Sequence, residues 1–261
     1  PRYAWKRNRG TVRRWLLPAL LLAALLGAWQ LAASSGFLAG VLGLESFLVP
    51  SPAEVAKSLW QSRSLLAENA WVTLREILFG LACALVLGVV FAVLMHLSGT
   101  VRDASYPLIV ASQTIPIVVI APILLVWLGF GIGPKIVVVA LICFFPITVN
   151  VLDGLRSAAP DAIKMMRTLD ASRWAVLRRV EAPNALPSFF TGARIAVVLA
   201  PIGAVFGEWV GGSSGLGHLI LTDNAQLEVA REFAAVLVLS ALALILIGLA
   251  ALAERRVVTW R

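Results

Sequence analysis

Long apolar blocks are the feature of this sequence that most constrains its fold. A helix needs about 20 mostly apolar residues to cross roughly 30 Å of hydrocarbon, and several blocks reach that length. The chain has 261 residues, is 60% hydrophobic and has a mean hydropathy of +0.90. The sequence predicts an all-α integral membrane protein with spans at about 15–34, 71–97, 106–129, 135–153, 187–209 and 232–253.

The positions of the basic residues predict the orientation in the membrane. The formal net charge is +8. Sixteen Lys and Arg residues lie in the N-terminal tail, the 98–105 loop, the 153–186 loop and the C-terminal tail, whereas four lie in the remaining connections. Because loops rich in Lys and Arg stay cytoplasmic, we expect both termini on that side of a bacterial inner membrane. Because the basic residues collect on one side of the membrane, we expect them to interact with lipid and not with nucleic acid.

The connection between the first two spans predicts an external amphipathic helix. Ser51, Pro52 and Glu54 form a helix start, with a capping hydroxyl, a proline in the first turn and a carboxylate three residues on. Val55 and Leu59 are expected on its membrane-facing stripe, and Leu66 is a further candidate for that stripe. The predicted organisation is a basic tail (1–14), a first span with this helix (15–68), a five-span core (69–253) and a second tail (254–261).

Two residue patterns describe the core helices. Small residues recur every four positions at Gly80, Ala84, Gly88 and Ala92, a spacing that lets another helix approach one face closely. We interpret this stripe as a packing seam. Prolines predict interruptions of the other spans, because proline removes a backbone hydrogen bond; they are Pro116, Pro122, Pro146 and Pro201.

The sequence gives little support for an enzymatic function. The sequence has no glycine-rich phosphate loop ending in Lys-Ser or Lys-Thr, so no ATP site and no other cofactor is expected in this chain. Its two histidines are too few for a histidine-rich metal site, and no metal ligands are proposed. Ser214 lies in a G-x-S-G pattern near His218, which allows an intramembrane serine protease as an alternative to a simple turn. The two residues share one Gly-rich stretch, which favours the turn.

Polar residues at membrane depth are candidates for a solute path, because a central charge costs about 2.5–3.5 kcal/mol and normally has a partner or water. The candidates are Ser112, Gln113, Pro116, Glu208 and Trp209. Interhelical hydrogen bonding is the alternative for Gln113 and Glu208, and interfacial anchoring is the alternative for Trp209.

Three further charged residues accompany the spans. Arg75 and Glu76 open the second span, and Arg194 lies early in the fifth. We expect both arginines to extend toward the interface.

The 153–186 loop predicts two short amphipathic helices. Pro160 suits a first turn, and apolar residues recur at Ile163, Met166 and Leu169. After a turn at 170–172 the pattern restarts, and Pro183 is expected to end the second helix. A helical pair between membrane spans favours a docking element for a protein partner.

This loop resembles the coupling loop of type I ABC importer permeases, which docks on an ATPase subunit. The chain is similar to the nitrate/sulfonate/taurine branch of that family through "LVPSPAEV", "TIPIVVIAPILLVWLGFG", "DGLRS", "TLDASRWAVLRRVEAPNALPSFFTGARIAV" and "SSGLGHLI". "APIGAVFGEWVGGSSGLGHLI" and "ALICFFPITVN" look most like permeases for thiamine-related pyrimidine precursors.

The resemblance implies a set of ATPase-coupling residues: Asp161, Lys164, Met165, Arg167, Thr168, Leu169, Asp170, Ala171, Ser172, Arg173 and Trp174. Two positions depart from the family pattern. Lys164-Met165-Met166 stands where Glu-Ala-Ala is usual, and Asp170 replaces a glycine. Because Asp tolerates a left-handed backbone, we expect the turn at Asp170 to persist. Arg173→Glu is expected to abolish transport without preventing insertion.

The implied function is import of a small solute, such as a thiamine-related pyrimidine or a sulfonate, without covalent chemistry in this chain. The implied partners are ATPase subunits that carry ATP and Mg²⁺, an external solute-binding protein and a second copy of this permease. A secondary transporter driven by an ion gradient is the alternative, and it would need no ATPase.

Overall fold

The computed structural model describes the backbone of residues 6–259 and the side chains of residues 16–45 and 47–259. Within these residues every regular element is helical, which confirms the predicted all-α class. The α-helices are α1 (Lys6–Ser34), α2 (Phe37–Leu42), α3 (Pro52–Gln61), α4 (Arg63–Leu97), α5 (Gly99–Ser112), α6 (Ile117–Leu128), α7 (Ile132–Arg156), α8 (Pro160–Thr168), α9 (Arg173–Val176), α10 (Ala182–Gly211), α11 (Leu216–Ala225) and α12 (Val229–Val257). A 3₁₀ turn covers Ser46–Leu48, and a π-helical turn covers Leu177–Glu181.

Five helical segments are long and apolar enough to cross a membrane, and the bent pair α5–α6 makes up to six such segments among the described residues. They correspond in order to the six predicted spans. From Lys6 onward, the predicted basic tail belongs to α1, whereas residues 1–5 and 260–261 lie outside the described part.

The chain divides into two compact units. One comprises the segment ending at Ser64 together with Thr222–Ala235. In it, Trp29 packs against Phe233 with ring centroids 6.0 Å apart, and the Arg231 guanidinium pairs with the Asp223 carboxylate at 2.7 Å. The other unit comprises Leu65–Leu221 and the residues from Val236 onward, and it contains the predicted site residues.

The N-terminus of α3 follows the predicted capping pattern. The Ser51 backbone N–H donates to the Glu54 carboxylate at 2.7 Å, and the Glu54 backbone N–H donates to the Ser51 hydroxyl at 3.3 Å. This reciprocal pair satisfies two exposed donors of the first turn, and the first bond is the main cause that lowers the pKa of Glu54. Val55 is buried within the protein, so the prediction that it faces the membrane is wrong, and Leu66 belongs to the next helix.

The predicted third span is not continuous. Helices α5 and α6 meet at a bend of 103°, with Pro116 at the start of α6. The Ser112 hydroxyl donates to the Ile109 carbonyl at 2.7 Å, and the Thr114 hydroxyl donates to the Ala111 carbonyl at 2.8 Å. Both hydroxyls thus donate to carbonyls in the last turn of α5, and the Ala111 carbonyl also accepts the Thr114 backbone N–H at 3.0 Å.

The other predicted proline interruptions are wrong. The helices continue through the remaining positions, which are Pro122, Pro146 and Pro201. Pro146 and Pro201 are buried between packed helices, so tertiary contacts hold the helix together where local propensity disfavours it.

The small-residue stripe on α4 packs against α7, which confirms the predicted seam. A Cβ added at Gly80 would meet the Val139 side chain, and one added at Gly88 would lie 2.8 Å from a methyl carbon of Ile147. Ala84 and Ala92 are fully buried. The small size of the residues on this stripe therefore allows the two helices to lie close together.

We predict that Gly88→Leu destabilises the protein by about 1–3 kcal/mol, because a larger side chain forces α4 away from α7. Thermal unfolding of the detergent-solubilised protein measures the effect. Ala82→Leu is the matched control, since Ala82 lies on the exposed side of the same helix. Equal unfolding temperatures for the two variants would contradict the seam.

Candidate functional site

Helices α8 and α9 form the predicted helical pair, and a tight turn joins them. The Asp170 N–H donates to the Arg167 carbonyl at 3.1 Å, and the Ala171 N–H donates to the Met166 carbonyl at 3.1 Å. These are the two bonds of a Schellman C-cap, which requires a left-handed residue after the helix. Asp170 supplies it with φ 54°, so the turn persists without glycine, as predicted.

The outer face of this pair is open and carries three large apolar side chains among charged ones. Met165, Leu169 and Trp174 are 64%, 71% and 66% exposed. Large apolar side chains clustered on a surface mark interaction sites. The predicted coupling residues are distributed over one compact element: Asp161, Lys164, Met165, Arg167 and Thr168 lie on α8, Leu169, Asp170, Ala171 and Ser172 in the turn, and Arg173 and Trp174 on α9.

The second helix of the pair begins as predicted but does not end at Pro183. The Ser172 hydroxyl accepts a hydrogen bond from the Ala175 N–H at 3.3 Å and caps α9. The helical path then continues through the π-helical turn at Leu177–Glu181 into α10. Pro183 lies in the first turn of α10, where its missing N–H costs little.

Arg173 contacts another part of this chain. Its guanidinium donates to the His96 backbone carbonyl at 3.2 Å, at the C-terminal end of α4. Arg173→Glu would therefore disturb an internal contact as well as any docking surface, and Trp174 is the cleaner probe of docking.

Three of the five predicted path residues line one cavity. It has a volume of about 360 Å³ and lies where α5 breaks into α6, beside α7 and α10. Ser112, Gln113 and Pro116 lie on its wall, and the other described lining residues are apolar, including Leu199 and Ile202. The cavity wall thus offers a hydroxyl and an amide and, among the described residues, no charged side chain.

Glu208 of α10 does not line this cavity. Its side chain is fully buried against the N-terminus of α11. The Gly217 N–H donates to Glu208 Oε2 at 2.5 Å, and the Thr73 hydroxyl donates to Oε1 at 2.6 Å. The Leu216 N–H in turn donates to the Thr73 hydroxyl at 2.8 Å. A carboxylate is favoured at a helix N-terminus, where N–H groups lack helical partners. This environment favours interhelical hydrogen bonding for Glu208 over a path-lining role.

Trp209 is also held at this junction. Its indole N–H donates to the Gly217 carbonyl at 2.9 Å, and its ring packs edge-on against Phe206 at 5.5 Å. It remains 43% exposed.

A buried ion pair lies next to Glu208, and the sequence analysis missed it. Lys135 Nζ donates to Glu76 Oε1 at 2.8 Å, with side chains 7% and 1% exposed. Glu76 Oε2 is buried without a hydrogen-bond partner. The Glu76 and Glu208 carboxyl groups also interact electrostatically, and Lys135 is the cation paired with Glu76. Three helices (α4, α7 and α10) meet at this buried cluster, which comprises Thr73, Glu76, Lys135 and Glu208.

The glycines close to Glu208 are the feature of the sequence that indicates this buried cluster. A Cβ at Gly215 or Gly217 would overlap the Glu208 carboxylate, so the "GSSGLG" stretch lets backbone approach a buried acid. Gly215 has φ 112°, which side chains rarely adopt. The Ser213–Ser214 segment is the connection between α10 and α11, in agreement with the turn interpretation.

The chain is similar to a family and to individual permeases over most of its length. Residues 84–259 match the family described as "binding-protein-dependent transport system inner membrane component". A formylaminopyrimidine transport permease of Halalkalibacterium halodurans is 38% identical over 94% of this chain and 96% of the relative. A riboflavin transport system permease of Chloroflexus aurantiacus is 37% identical over 96% of this chain and 93% of the relative.

A solved structure has the same fold. The MetNI methionine ABC transporter, in an inward-facing conformation, matches with a TM-score of 0.66 at 20% identity, over 76% of this chain and 98% of the other.

We predict that Lys135→Met destabilises the protein by about 3–5 kcal/mol, because it leaves the buried Glu76 carboxylate without its cation. Removing charge from both partners, in Glu76→Gln with Lys135→Met, should recover much of that loss. Thermal unfolding in detergent measures both. Arg75→Met is the control, since Arg75 is an exposed neighbour of Glu76. A double variant less stable than Lys135→Met would contradict the pairing.

Proposed function

The chain belongs to the family of binding-protein-dependent transport system inner membrane components and is the membrane-spanning permease subunit of an ATP-driven importer, and we propose that it pairs with a second copy to import a flat nitrogen heterocycle. ATPase subunits and an external solute-binding protein are the partners that this family implies. The exposed apolar side chains of the α8–α9 pair carry the proposed ATPase contact, and the uncharged cavity wall at the α5–α6 break carries the proposed solute class.

The α8–α9 pair is the proposed ATPase contact. Met165, Leu169 and Trp174 are exposed apolar side chains of this pair, and Lys164 and Asp161 form an exposed ion pair on α8 at 3.6 Å. Aromatic and aliphatic anchors of this kind carry much of the energy of protein interfaces. The ATPase subunits would bind ATP and Mg²⁺, and ATP-driven closure would move this pair.

The membrane orientation follows from the same assignment. The α8–α9 pair lies in the basic 153–186 loop, and such loops remain on the cytoplasmic side. With six spans, both termini would lie on that side of the bacterial inner membrane, which places the ATPase contact where ATP is available.

The cavity at the α5–α6 break is the proposed solute path. Its neutral wall suits a neutral or weakly polar molecule, because binding of a sulfonate is favoured by cationic or clustered N–H donors. The Gln113 amide both donates and accepts hydrogen bonds, which matches ring nitrogens and amino groups. The names of two relatives refer to heterocycles, a formylaminopyrimidine and riboflavin. Together these observations favour a heterocycle over taurine or nitrate.

We predict that Trp174→Ala weakens ATPase binding by about tenfold or more, because it removes an exposed aromatic anchor. The measurement is the amount of ATPase subunit that co-purifies with the tagged permease in mild detergent, identified by mass spectrometry. Trp127→Ala is the matched control, since Trp127 is 76% exposed on α6. A wild-type permease that purifies alone after gentle cross-linking would refute docking and favour a secondary transporter.

We predict that Ile202→Trp largely abolishes uptake of a labelled aminopyrimidine, because the larger side chain fills the cavity. The measurement is ATP-dependent uptake into vesicles that contain the permease, its ATPase and its binding protein. Ile195→Trp is the control, since Ile195 is 43% exposed on the same helix and does not line the cavity. Uptake of taurine but not of the pyrimidine by the wild type would refute the substrate class.

A further inference from the structure

The end of α4 is attached to the segment that follows α9 through a partly buried pair. His96 lies in the last turn of α4, and its Nε2 lies 2.8 Å from Glu181 Oε2. The two side chains are only 13% and 11% exposed. A hydrogen bond between groups shielded from water has a stronger electrostatic component than an exposed one, so this contact holds the two segments together.

A second contact involves the backbone of His96. The Arg173 guanidinium donates to the His96 backbone carbonyl at 3.2 Å. The last carbonyls of a helix lack helical donors, and a cation there also meets the negative end of the helix dipole. His96 is therefore contacted through its side chain by Glu181 and through its backbone by Arg173.

Buried apolar residues lie beneath these polar contacts. Val176 and Leu177 are 4% and 5% exposed, and Leu177 belongs to the same hydrophobic cluster as Met95 of α4 and Leu155 of α7. The inner side of the α9 segment is thus fixed to the helix core. Its outer side, by contrast, leaves Trp174 66% exposed.

The backbone between the two contacts has an unusual geometry. Leu177–Glu181 forms a π-helical turn, which holds one residue more per turn than an α-helical path and changes the direction of the side chains that follow. Such turns are rare and frequently occur at functional sites. Here the turn ends at Glu181, the residue that contacts His96.

We propose that His96, Glu181 and Arg173 form a tether that transmits movement of the α8–α9 pair to α4. This inference rests on the proposed docking of an ATPase on that pair. Movement of the outer face by the partner then displaces the end of α4 directly, because the two segments share both polar and apolar contacts. Glu181 and His96 act as positioning residues and need not touch ATPase or solute.

The test measures movement of α4 in the permease purified together with its ATPase. A spin label on Cys83, an exposed cysteine on α4, reports that movement through the change in its electron paramagnetic resonance spectrum on addition of Mg²⁺ and ATP. We expect a clear change in the wild type. His96→Ala and Glu181→Ala should each reduce it to less than about a fifth, while ATP hydrolysis and ATPase binding continue.

Further variants separate a tether from a general structural effect. The double variant should respond no less than either single variant, since both remove the same contact. Glu181→Gln retains a hydrogen-bond partner for His96 and should recover the response. Arg194→Ala, which removes the ion pair with Glu254 at 3.2 Å between α10 and α12, should leave it unchanged.

The outcomes distinguish the two proposals. A wild-type permease that binds no ATPase overturns docking and, with it, the tether. A permease that binds its ATPase but whose Cys83 label does not respond to ATP, or whose alanine variants respond like the wild type, overturns the tether alone. A lost response accompanied by a lower unfolding temperature and lost ATPase binding also overturns it, since the contact is then purely structural.

Discussion

The fold depends on one constraint: polar groups inside hydrocarbon must find partners within the protein. Where α5 ends inside its span, the hydroxyls of Ser112 and Thr114 bond to nearby carbonyls. Where α11 begins, Glu208 accepts hydrogen bonds from the N–H groups that the helix leaves free. At both helix ends, particular side chains thus bond to backbone groups where the helical hydrogen-bond pattern stops.

The parts of the fold that follow from periodicity could be predicted from the sequence. The spans follow from apolar length, the α4 seam from small residues every fourth position, and the α3 start from a local capping pattern. The turn at Asp170 was predictable for the same reason, because the two bonds of its cap join residues that are close in sequence. Each of these features depends on local geometry that a short stretch of sequence encodes.

Features that depend on distant residues could not be predicted. By its charge, Lys135 is counted with the connections between spans, yet it is buried against Glu76, 59 positions away. The family resemblance assigns Arg173 to ATPase coupling, yet it also contacts the end of α4. The predicted interruptions at proline are wrong for a related reason. Pro146 and Pro201 remain helical because neighbouring helices pack around them. A proline pattern alone does not reveal that support.

Helix α4 connects the two polar regions of the structure. Thr73 lies in the buried cluster at the junction of α10 and α11, and His96 lies at the proposed tether. His96 follows Thr73 by 23 positions, which corresponds to about 35 Å of helix, and this stretch contains no proline. Between the two polar regions, α4 packs closely on α7 at Gly80 and Gly88. A displacement at His96 would therefore act on the same helix pair that holds the buried cluster.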